Sequence, residues 1–231
     1  MLVAGFPAGS LGTNCYIVAP AVGEQCVIID PGQDAAAGVS EIVRANGLQP
    51  VAVLLTHGHV DHTMSVVPVC GSYGVPAYIH PEDRSMLAEP FAGLGLKPGT
   101  PIFGQYEFNE PDEVRELTDG VALEIAGLSI TVDHAPGHTR GSVTFRTPAD
   151  QDVPPVMFSG DLLFNGAVGR WDLPGGSRDE LLTSLARVCL PLPDETVVLA
   201  GHGSQTTIGH ERATNPFLTE AAPLSVRPRG M

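Results

Sequence analysis

The sequence contains few basic side chains and no long apolar stretch. Lysine and arginine together number 12 against 26 aspartates and glutamates, which gives a formal net charge of −14 over 231 residues. We therefore expect no nucleic-acid partner, because phosphate groups bind to basic surfaces. Every apolar run is shorter than the roughly 20 residues that cross a bilayer, so the sequence predicts no membrane span.

The sequence also lacks the marks of secretion and of paired cysteines. Residues 1–7 contain neither a basic cluster nor a long apolar core, and we expect a cytoplasmic protein. Cys15, Cys26, Cys70 and Cys189 are scattered and form no C-x-x-C pair. The spacing favours buried, reduced thiols over disulfides or a thiolate metal site.

Apolar and turn-forming residues, by contrast, are plentiful. Hydrophobic residues make up 43% of the chain, which is enough for one core, and we predict a single domain over residues 1–231. The 27 glycines and 21 prolines indicate many tight turns between short elements. Residues 90–118 are rich in glycine, proline and acidic side chains, and we assign them no element.

Short β-branched runs alternate with helical patterns in both halves of the chain. Strands are predicted at residues 1–6, 14–19, 25–30, 51–55, 75–79, 121–125, 128–134, 142–146, 156–159 and 196–200. Helices are predicted at residues 35–46, 63–73, 80–89 and 177–190. This arrangement predicts two sheets packed face to face with helices outside.

The densest group of polar side chains follows the strand at 51–55. His57, His59, Asp61 and His62 occur within six residues. His57 and His59 lie two residues apart, so in an extended loop both side chains can reach one metal ion. Asp61 and His62 follow after a turn and can face a second ion. Imidazole and carboxylate ligands suit zinc, and also iron, manganese or cobalt.

Three later strands end in loops of the same kind. His138 follows the strand at 128–134, Asp161 follows 156–159 and His202 follows 196–200. A glycine precedes each of the three, which permits a tight turn close to an ion. Seven candidate ligands are too many for one ion and suit two. We predict one ion held by His57, His59 and His138, a second held by Asp61, His62 and His202, and a bridge between them from Asp161.

The motifs, in this order, resemble the metallo-β-lactamase superfamily. Residues 56–62 (THGHVDH) match its T-H-x-H-x-D-H motif, and residues 136–139, 159–161 and 201–203 match the later motifs. Within the superfamily the chain is similar to the glyoxalase II group, the hydroxyacylglutathione hydrolases, through residues 30–32, 169–177 and 206–211. The resemblance implies an α/β fold, a four-layer αββα sandwich of two mixed β-sheets flanked by helices. It places the metals at one edge of the sheets.

The resemblance also implies roles for individual residues. Asp61 and Asp161 carry the reaction, while Asp30 and Thr56 support the ligand loop through hydrogen bonds. Arg170 and Trp171 either line the substrate entrance or stabilise the turn at residues 173–176. Full-length glyoxalase II enzymes carry a helical C-terminal region that binds glutathione, and we expect this region to be absent here. The thiol carrier is therefore left open.

The implied activity is that of a binuclear metal-dependent hydrolase of the glyoxalase II type. It cleaves S-lactoylglutathione, or a related hydroxyacyl thioester, to a hydroxy acid and a free thiol. A metal-bridging hydroxide is the expected nucleophile, and two Zn²⁺ ions are the expected cofactors, with Fe or Mn as alternatives. Two other functions stay open, a mononuclear iron persulfide dioxygenase and a lactonase of the same fold.

Overall fold

The computed structural model describes residues 1–97, 100, 108–150 and 153–225. Residues 98, 99 and 101–107 of the unassigned segment 90–118 lie outside this description. The described residues form two six-stranded sheets, one from each half of the chain.

The first sheet has the strand order β1-β2-β3-β4-β5-β6. β1 to β3 pair antiparallel, and β3 to β6 pair parallel. The parallel strands alternate with helical crossovers, as parallel pairing requires. The strands are β1 (Leu2–Ala8), β2 (Thr13–Ala19), β3 (Gln25–Ile29), β4 (Gln49–Leu54), β5 (Ala77–Ile79) and β6 (Val114–Glu116).

The second sheet has the order β12-β11-β10-β9-β8-β7 and is antiparallel except for the pair β10–β11. The predicted hairpin is confirmed, because β7 and β8 pair antiparallel with Ile125 opposite Leu128. Ala126 and Gly127 form the turn between them, with positive φ values of 54° and 70°. Such a turn matches the twist of the two strands. The strands are β7 (Ala122–Ile125), β8 (Leu128–His134), β9 (Val143–Thr147), β10 (Val156–Gly160), β11 (Val197–Ala200) and β12 (Thr206–Thr207).

The helices differ from the predicted ones in several places. The predicted helix at 63–73 begins only at Val66, after a separate short helix over Val60–Thr63, and this start puts Pro68 in the first turn, where its missing N–H does no harm. The predicted helix at 80–89 is a four-residue helix followed by a 3₁₀ turn. The predicted helix at 177–190 widens into a π segment, Leu185–Cys189. Helices over Pro90–Gly93, Ile208–Thr214 and Pro216–Ser225 were not predicted. The helices are α1 (Ala35–Ala45), α2 (Val60–Thr63), α3 (Val66–Tyr73), α4 (Pro81–Arg84), α5 (Pro90–Gly93), α6 (Arg178–Ser184), α7 (Ile208–Thr214) and α8 (Pro216–Ser225), and a 3₁₀ turn spans Ser85–Leu87.

Three buried clusters define four layers. The central cluster lies between the sheets and includes Leu54 of β4 and Phe158 of β10. α1 and α3 cover the outer face of the first sheet, and α6 and α8 cover that of the second. Leu218 of α8 is 1% exposed, so this late helix packs against the outer layer through that side chain. The predicted αββα sandwich is confirmed.

The four cysteines are buried as reduced thiols, as their spacing predicted. Burial raises the pKa of Cys26 and of Cys70 to about 12, so neither thiol ionises at neutral pH. Within the described residues, no helix is long and apolar enough to cross a membrane.

Candidate metal centre

Four loops at the carboxyl ends of β4, β8, β10 and β11 meet at one edge of the sandwich. They bring together all seven predicted ligand side chains, in three overlapping groups whose ligand atoms lie within 4.8 Å of one another. The groups are His57, His59 and His138; His57, His62 and Asp161; and Asp61, His62 and His202. Both sheets therefore supply ligands to each predicted site.

Local backbone features set the direction of two of these loops. β10 shifts register between Phe158 and Gly160, directly before Asp161, and a bulge of this kind redirects the side chain that follows it. A Cβ atom on Gly160 would lie 2.6 Å from Thr56 Cβ, and one on Gly201 would lie 2.3 Å from Asp161 Oδ1. Only glycine allows this approach, as the sequence suggested.

Three imidazoles form the enclosed part of the centre. His59 Nδ1 lies 2.8 Å and His57 Nε2 lies 3.2 Å from His138 Nε2. The three residues are 1% to 4% exposed. Burial, with the neighbouring imidazoles, holds the pKa of His57 well below its ordinary value and lowers that of His59 to about 3. The rings of His57 and His59 are therefore neutral at physiological pH.

Hydrogen bonds on the far side of two of these rings fix which nitrogen faces the centre. His138 Nδ1 lies 2.6 Å from the main-chain oxygen of Arg170, which can only accept, so Nδ1 carries the proton. Thr56 Oγ1 donates to Asp30 Oδ2 at 2.6 Å and so accepts from His57 Nδ1 at 3.1 Å. The Nε2 atoms of His57 and His138 consequently present facing lone pairs.

The second group is more exposed and carries negative charge. His202 Nε2 lies 3.1 Å and His62 Nε2 lies 3.6 Å from Asp61 Oδ2. The side chains of His202 and Asp61 are 29% and 21% exposed, whereas His62 is fully buried. Burial raises the pKa of Asp61, but His62 and His202 outweigh it and hold the pKa below its usual range.

Asp161 lies between the two groups. Its Oδ1 is 3.3 Å from His62 Nε2, and its Oδ2 is 3.5 Å from His138 Nε2 and 3.8 Å from His202 Nε2. Burial raises the pKa of Asp161, but the surrounding imidazoles lower it further, so the carboxylate is ionised. The two oxygens of this carboxylate thus face different histidines, and both are available for a bridge between two ions.

The donor set fits two cations by its own chemistry. His62 donates from Nδ1 to Asp30 Oδ2 at 2.9 Å, so Nε2 faces two carboxylates. His62 Nε2 and Asp161 Oδ1 are buried, and neither has a hydrogen-bond partner among the described residues. Burial lowers the pKa of His62, but Asp61 and Asp161 raise it further, which shows that this position attracts positive charge. A proton or a metal ion must therefore bind at His62 Nε2. A metal ion can bind this nitrogen and Asp161 Oδ1 together.

Asp30 and Thr56 occupy the supporting positions that the resemblance implied. Asp30 accepts hydrogen bonds from Thr56 N at 2.8 Å, from Thr56 Oγ1 and from His62 Nδ1. Its backbone has φ 48°, in the left-handed region that is unfavourable for a residue other than glycine. Strain of this kind persists where the surroundings hold it in place.

Arg170 contacts the centre through its main chain. Its guanidinium pairs with the exposed Asp172, 2.7 Å away within the same turn. Trp171 packs edge-on against Phe217 of α8, with the centroids 5.8 Å apart, and Arg178 lies over its ring. Both side chains therefore make contacts that stabilise the turn, and their role at a substrate entrance stays a prediction.

The sequence did not single out Asp83, a buried carboxylate beside the centre. It accepts hydrogen bonds from Gly58 N at 2.9 Å, Thr139 Oγ1 at 2.6 Å and Gly141 N at 2.7 Å. Acidic residues are common in the first turn of a helix, so the pattern Pro-Glu-Asp offered no signal beyond the start of α4. The glycines at 58 and 141 were the available hint of a close approach.

Residues 8–202 match the family model of the metallo-β-lactamase superfamily. The chain belongs to this superfamily. The superfamily and its fold, both inferred from the sequence, are thus confirmed.

Relatives in several bacteria align with nearly the whole chain. An uncharacterized protein of Mycobacterium tuberculosis is 50% identical over 223 residues, covering 94% of this chain and 98% of the relative. The probable metallo-hydrolase YqgX of Bacillus subtilis is 35% identical over 213 residues, with 92% and 95% covered. Hydroxyacylglutathione hydrolase GloC of Haemophilus influenzae is 32% identical over 216 residues, with 92% and 95% covered. The class of activity supported is a metallo-hydrolase.

Solved structures of the superfamily agree with this fold. The B3 metallo-β-lactamase BLEG-1 superposes with a TM-score of 0.82 at 37% identity, covering 94% of this chain and 100% of the other. A di-iron-bound form of TTHA1623 gives a TM-score of 0.76 at 39% identity, with 93% and 99% covered. ETHE1 from Myxococcus xanthus, with a TM-score of 0.72 at 22% identity and 99% and 93% covered, shows the shared fold alone.

Proposed function

We propose that the protein is a binuclear metallo-hydrolase of thioesters, of the glyoxalase II type. The observation that carries the proposal is the position of Asp161 between two complete donor groups. The name of the Haemophilus influenzae relative, a hydroxyacylglutathione hydrolase, supports a thioester substrate such as S-lactoylglutathione.

We propose two divalent ions as cofactors, with Zn²⁺ as the expected metal. The enclosed group of three imidazole nitrogens suits zinc, while the Asp61, His62 and His202 group adds an oxygen donor. Iron and manganese accept the same donors, and the di-iron-bound TTHA1623 supports iron as an alternative. Metal analysis of the purified protein distinguishes these ions directly.

The residues around the centre have distinct tasks in thioester hydrolysis. Metal ions in such a site lower the pKa of water and polarise a carbonyl group. The enclosed histidines keep water out of one side, so an acyl group must approach from the exposed side of Asp61 and His202. Asp61 and Asp161 are ionised at neutral pH and can accept the proton of an attacking water. A thiolate leaving group, with a conjugate-acid pKa of about 8.5, needs no strong acid from the protein.

The chain also fits a single domain, and we propose one. α8 packs through Leu218 and Ala221 into the same cluster as Leu181 of α6, so it belongs to the outer layer of the sandwich. The cytoplasmic location and the lack of a nucleic-acid partner stay predictions from the sequence.

A second candidate is hydrolysis of a cyclic substrate, a β-lactam or a lactone. It is favoured by the 37% identity to BLEG-1, a B3 metallo-β-lactamase. The persulfide dioxygenase has less support, because it needs one iron with two histidines and one aspartate, whereas both donor groups are complete here.

The deciding experiment measures thiol release from S-D-lactoylglutathione by the metal-loaded protein, with Asp161→Ala as control. We expect turnover that is lost in the variant. A chromogenic β-lactam, a lactone and oxygen uptake with a persulfide are measured in parallel. Activity only on the cyclic substrates, or oxygen uptake with a single bound iron, would replace the thioesterase proposal.

A further inference from the structure

Asp83 is a buried carboxylate of α4 that contacts two ligand loops at once. Oδ2 accepts from Gly58 N at 2.9 Å and from Thr139 Oγ1 at 2.6 Å, and Oδ1 accepts from Gly141 N at 2.7 Å. The residue is 0% exposed. All three hydrogen bonds join chain segments that are far apart in sequence.

Two of the three donors are sequence neighbours of the three histidines of the enclosed group, and Gly141 lies three residues after His138. Gly58 lies between His57 and His59, and Thr139 directly follows His138. The packing is tight, because a Cβ atom on Gly58 would lie 2.8 Å from the main-chain oxygen of Asp83. The carboxylate thus fixes the spacing between the loop of His57 and His59 and the loop of His138, although it touches none of the three rings.

We propose that Asp83 is a positioning residue that sets the metal affinity of the enclosed three-histidine group. The inference rests on the proposed metal centre. Three nitrogen donors bind an ion tightly only when their separation is held, and partners outside the ligand set commonly change metal affinity by about 10- to 100-fold. Asp30 supports His57 and His62 on the other side, whereas the carboxylate of Asp83 hydrogen-bonds both to the loop of His57 and His59 and to the loop of His138.

Glu211 provides the matched comparison, because it is an equally buried carboxylate with three hydrogen bonds elsewhere. It accepts from Thr206 Oγ1 at 2.6 Å, Gly166 N at 2.9 Å and Asn215 Nδ2 at 2.8 Å. None of these donors adjoins His57, His59 or His138. Changing either carboxylate can lower the stability of the fold. Only a change of Asp83 should also weaken metal binding by the three-histidine group.

The substitutions can be chosen to keep shape while removing the contacts. In Asp83→Asn the new NH₂ group must face Gly141 N–H, or Gly58 N–H with Thr139 O–H, so at least one donor loses its acceptor whichever way the amide turns. Glu211→Gln makes the same chemical change. Thr139→Val removes one hydroxyl at constant shape, and Thr139→Ser restores it.

The experiment titrates metal-free wild-type protein and variants with Zn²⁺ against a chromophoric chelator, with Co²⁺ absorption spectra as a second readout. Thermal unfolding of the metal-free proteins reports stability separately. We expect two ions in the wild type, and in Asp83→Asn an affinity of the three-histidine group that is weaker by about 10- to 100-fold. Glu211→Gln is expected to bind both ions within twofold of the wild type, whatever loss of stability it shows.

Two outcomes would overturn the inference, and one would overturn the metal centre itself. Unchanged affinity in Asp83→Asn, or equal losses of affinity in Asp83→Asn and Glu211→Gln, contradicts a positioning role. If Asp83→Asn does not fold, the Thr139 pair decides: the valine variant must bind more weakly and the serine variant normally. A wild-type protein that binds fewer than two ions contradicts the proposed function instead.

Discussion

The two ends of the candidate metal centre differ in burial and in charge. His57, His59 and His138 are imidazoles that are at most 4% exposed, whereas Asp61 and His202 are 21% and 29% exposed and include a carboxylate. The enclosed end has nitrogen donors held in place from outside by Asp30, Thr56, Asp83 and the main chain of Arg170. The open end has fewer such supports, since Asp61 is held by Thr13 at 3.2 Å and by His202. We infer that the enclosed end retains its ion and that the open end exchanges its ion and meets the substrate.

Removing a ligand from the enclosed end should have the largest effect. In His138→Ala the nitrogen shared by His57 and His59 is lost, and we expect one ion to be lost and turnover to fall by about 10³-fold. Metal content and thiol release measure both. His210→Ala, at an exposed histidine outside the centre, is the control and should resemble the wild type.

Removing a ligand from the open end should do less. His202→Ala is expected to keep the enclosed ion at near wild-type affinity, to lose the second ion and to lower turnover by about 10²-fold. Zn²⁺ titration and thiol release check this. Loss of both ions in His202→Ala would show that the two ends do not act separately.

Acid should destabilise the metal-free protein through the enclosed end. Burial keeps the pKa of His57 and His59 low in the folded state, about 3 for His59. The unfolded chain binds these protons near pH 6.5 and the folded chain does not. The free energy of unfolding should therefore fall between about pH 6.5 and pH 4, by roughly 1 kcal/mol per pH unit for each ring.

The histidines of the open end should not add to that slope. The carboxylates raise the pKa of His62 despite its burial, and the hydrogen bond that His202 donates to Asp61 raises the pKa of His202. As the pH falls, the folded chain therefore holds these two protons at least as firmly as the unfolded chain does. Urea unfolding of metal-free protein at several pH values gives the slope, and His59→Gln should reduce it. An equal slope in that variant would contradict the assignment.

The smallest effect is expected from the exposed side chain of Arg170. In Arg170→Ala the main-chain oxygen that accepts from His138 is kept, and only an exposed pair with Asp172 is lost. Metal content should be unchanged, and the melting temperature should stay within about 2 °C of the wild type. A higher KM for an anionic thioester at unchanged kcat would assign the guanidinium to the substrate entrance.

The candidate ligands could be found from the sequence because His57, His138, Asp161 and His202 follow predicted strands with a glycine nearby, and His59, Asp61 and His62 lie within five residues of His57. His138, Asp161 and His202 needed no knowledge of the packing, since strand ends of a sandwich converge. Asp83 could not be found in this way. Its partners Gly58 and Gly141 are 25 and 58 residues away, and only the folded chain brings them to one carboxylate.

The secondary structure could be predicted where apolar patterns were long. The prediction failed where they were short. α7 and α8 were not predicted, because Gly209, Pro216 and Pro223 interrupt the pattern and α8 buries few side chains. The break between α2 and α3 depends on the position of Pro68 within a turn, which periodicity does not report. Tertiary packing decides all three cases.

Because both sheets supply ligands, an ion bound here would close very long chain loops. His57 and His138 are 81 residues apart, and Asp61 and His202 are 141 residues apart. Neither half of the chain contains a complete donor group, so metal capture must follow the docking of the two halves. Metal uptake then belongs to the last stage of folding, and a newly made chain has to assemble its sandwich before any ion can hold it together.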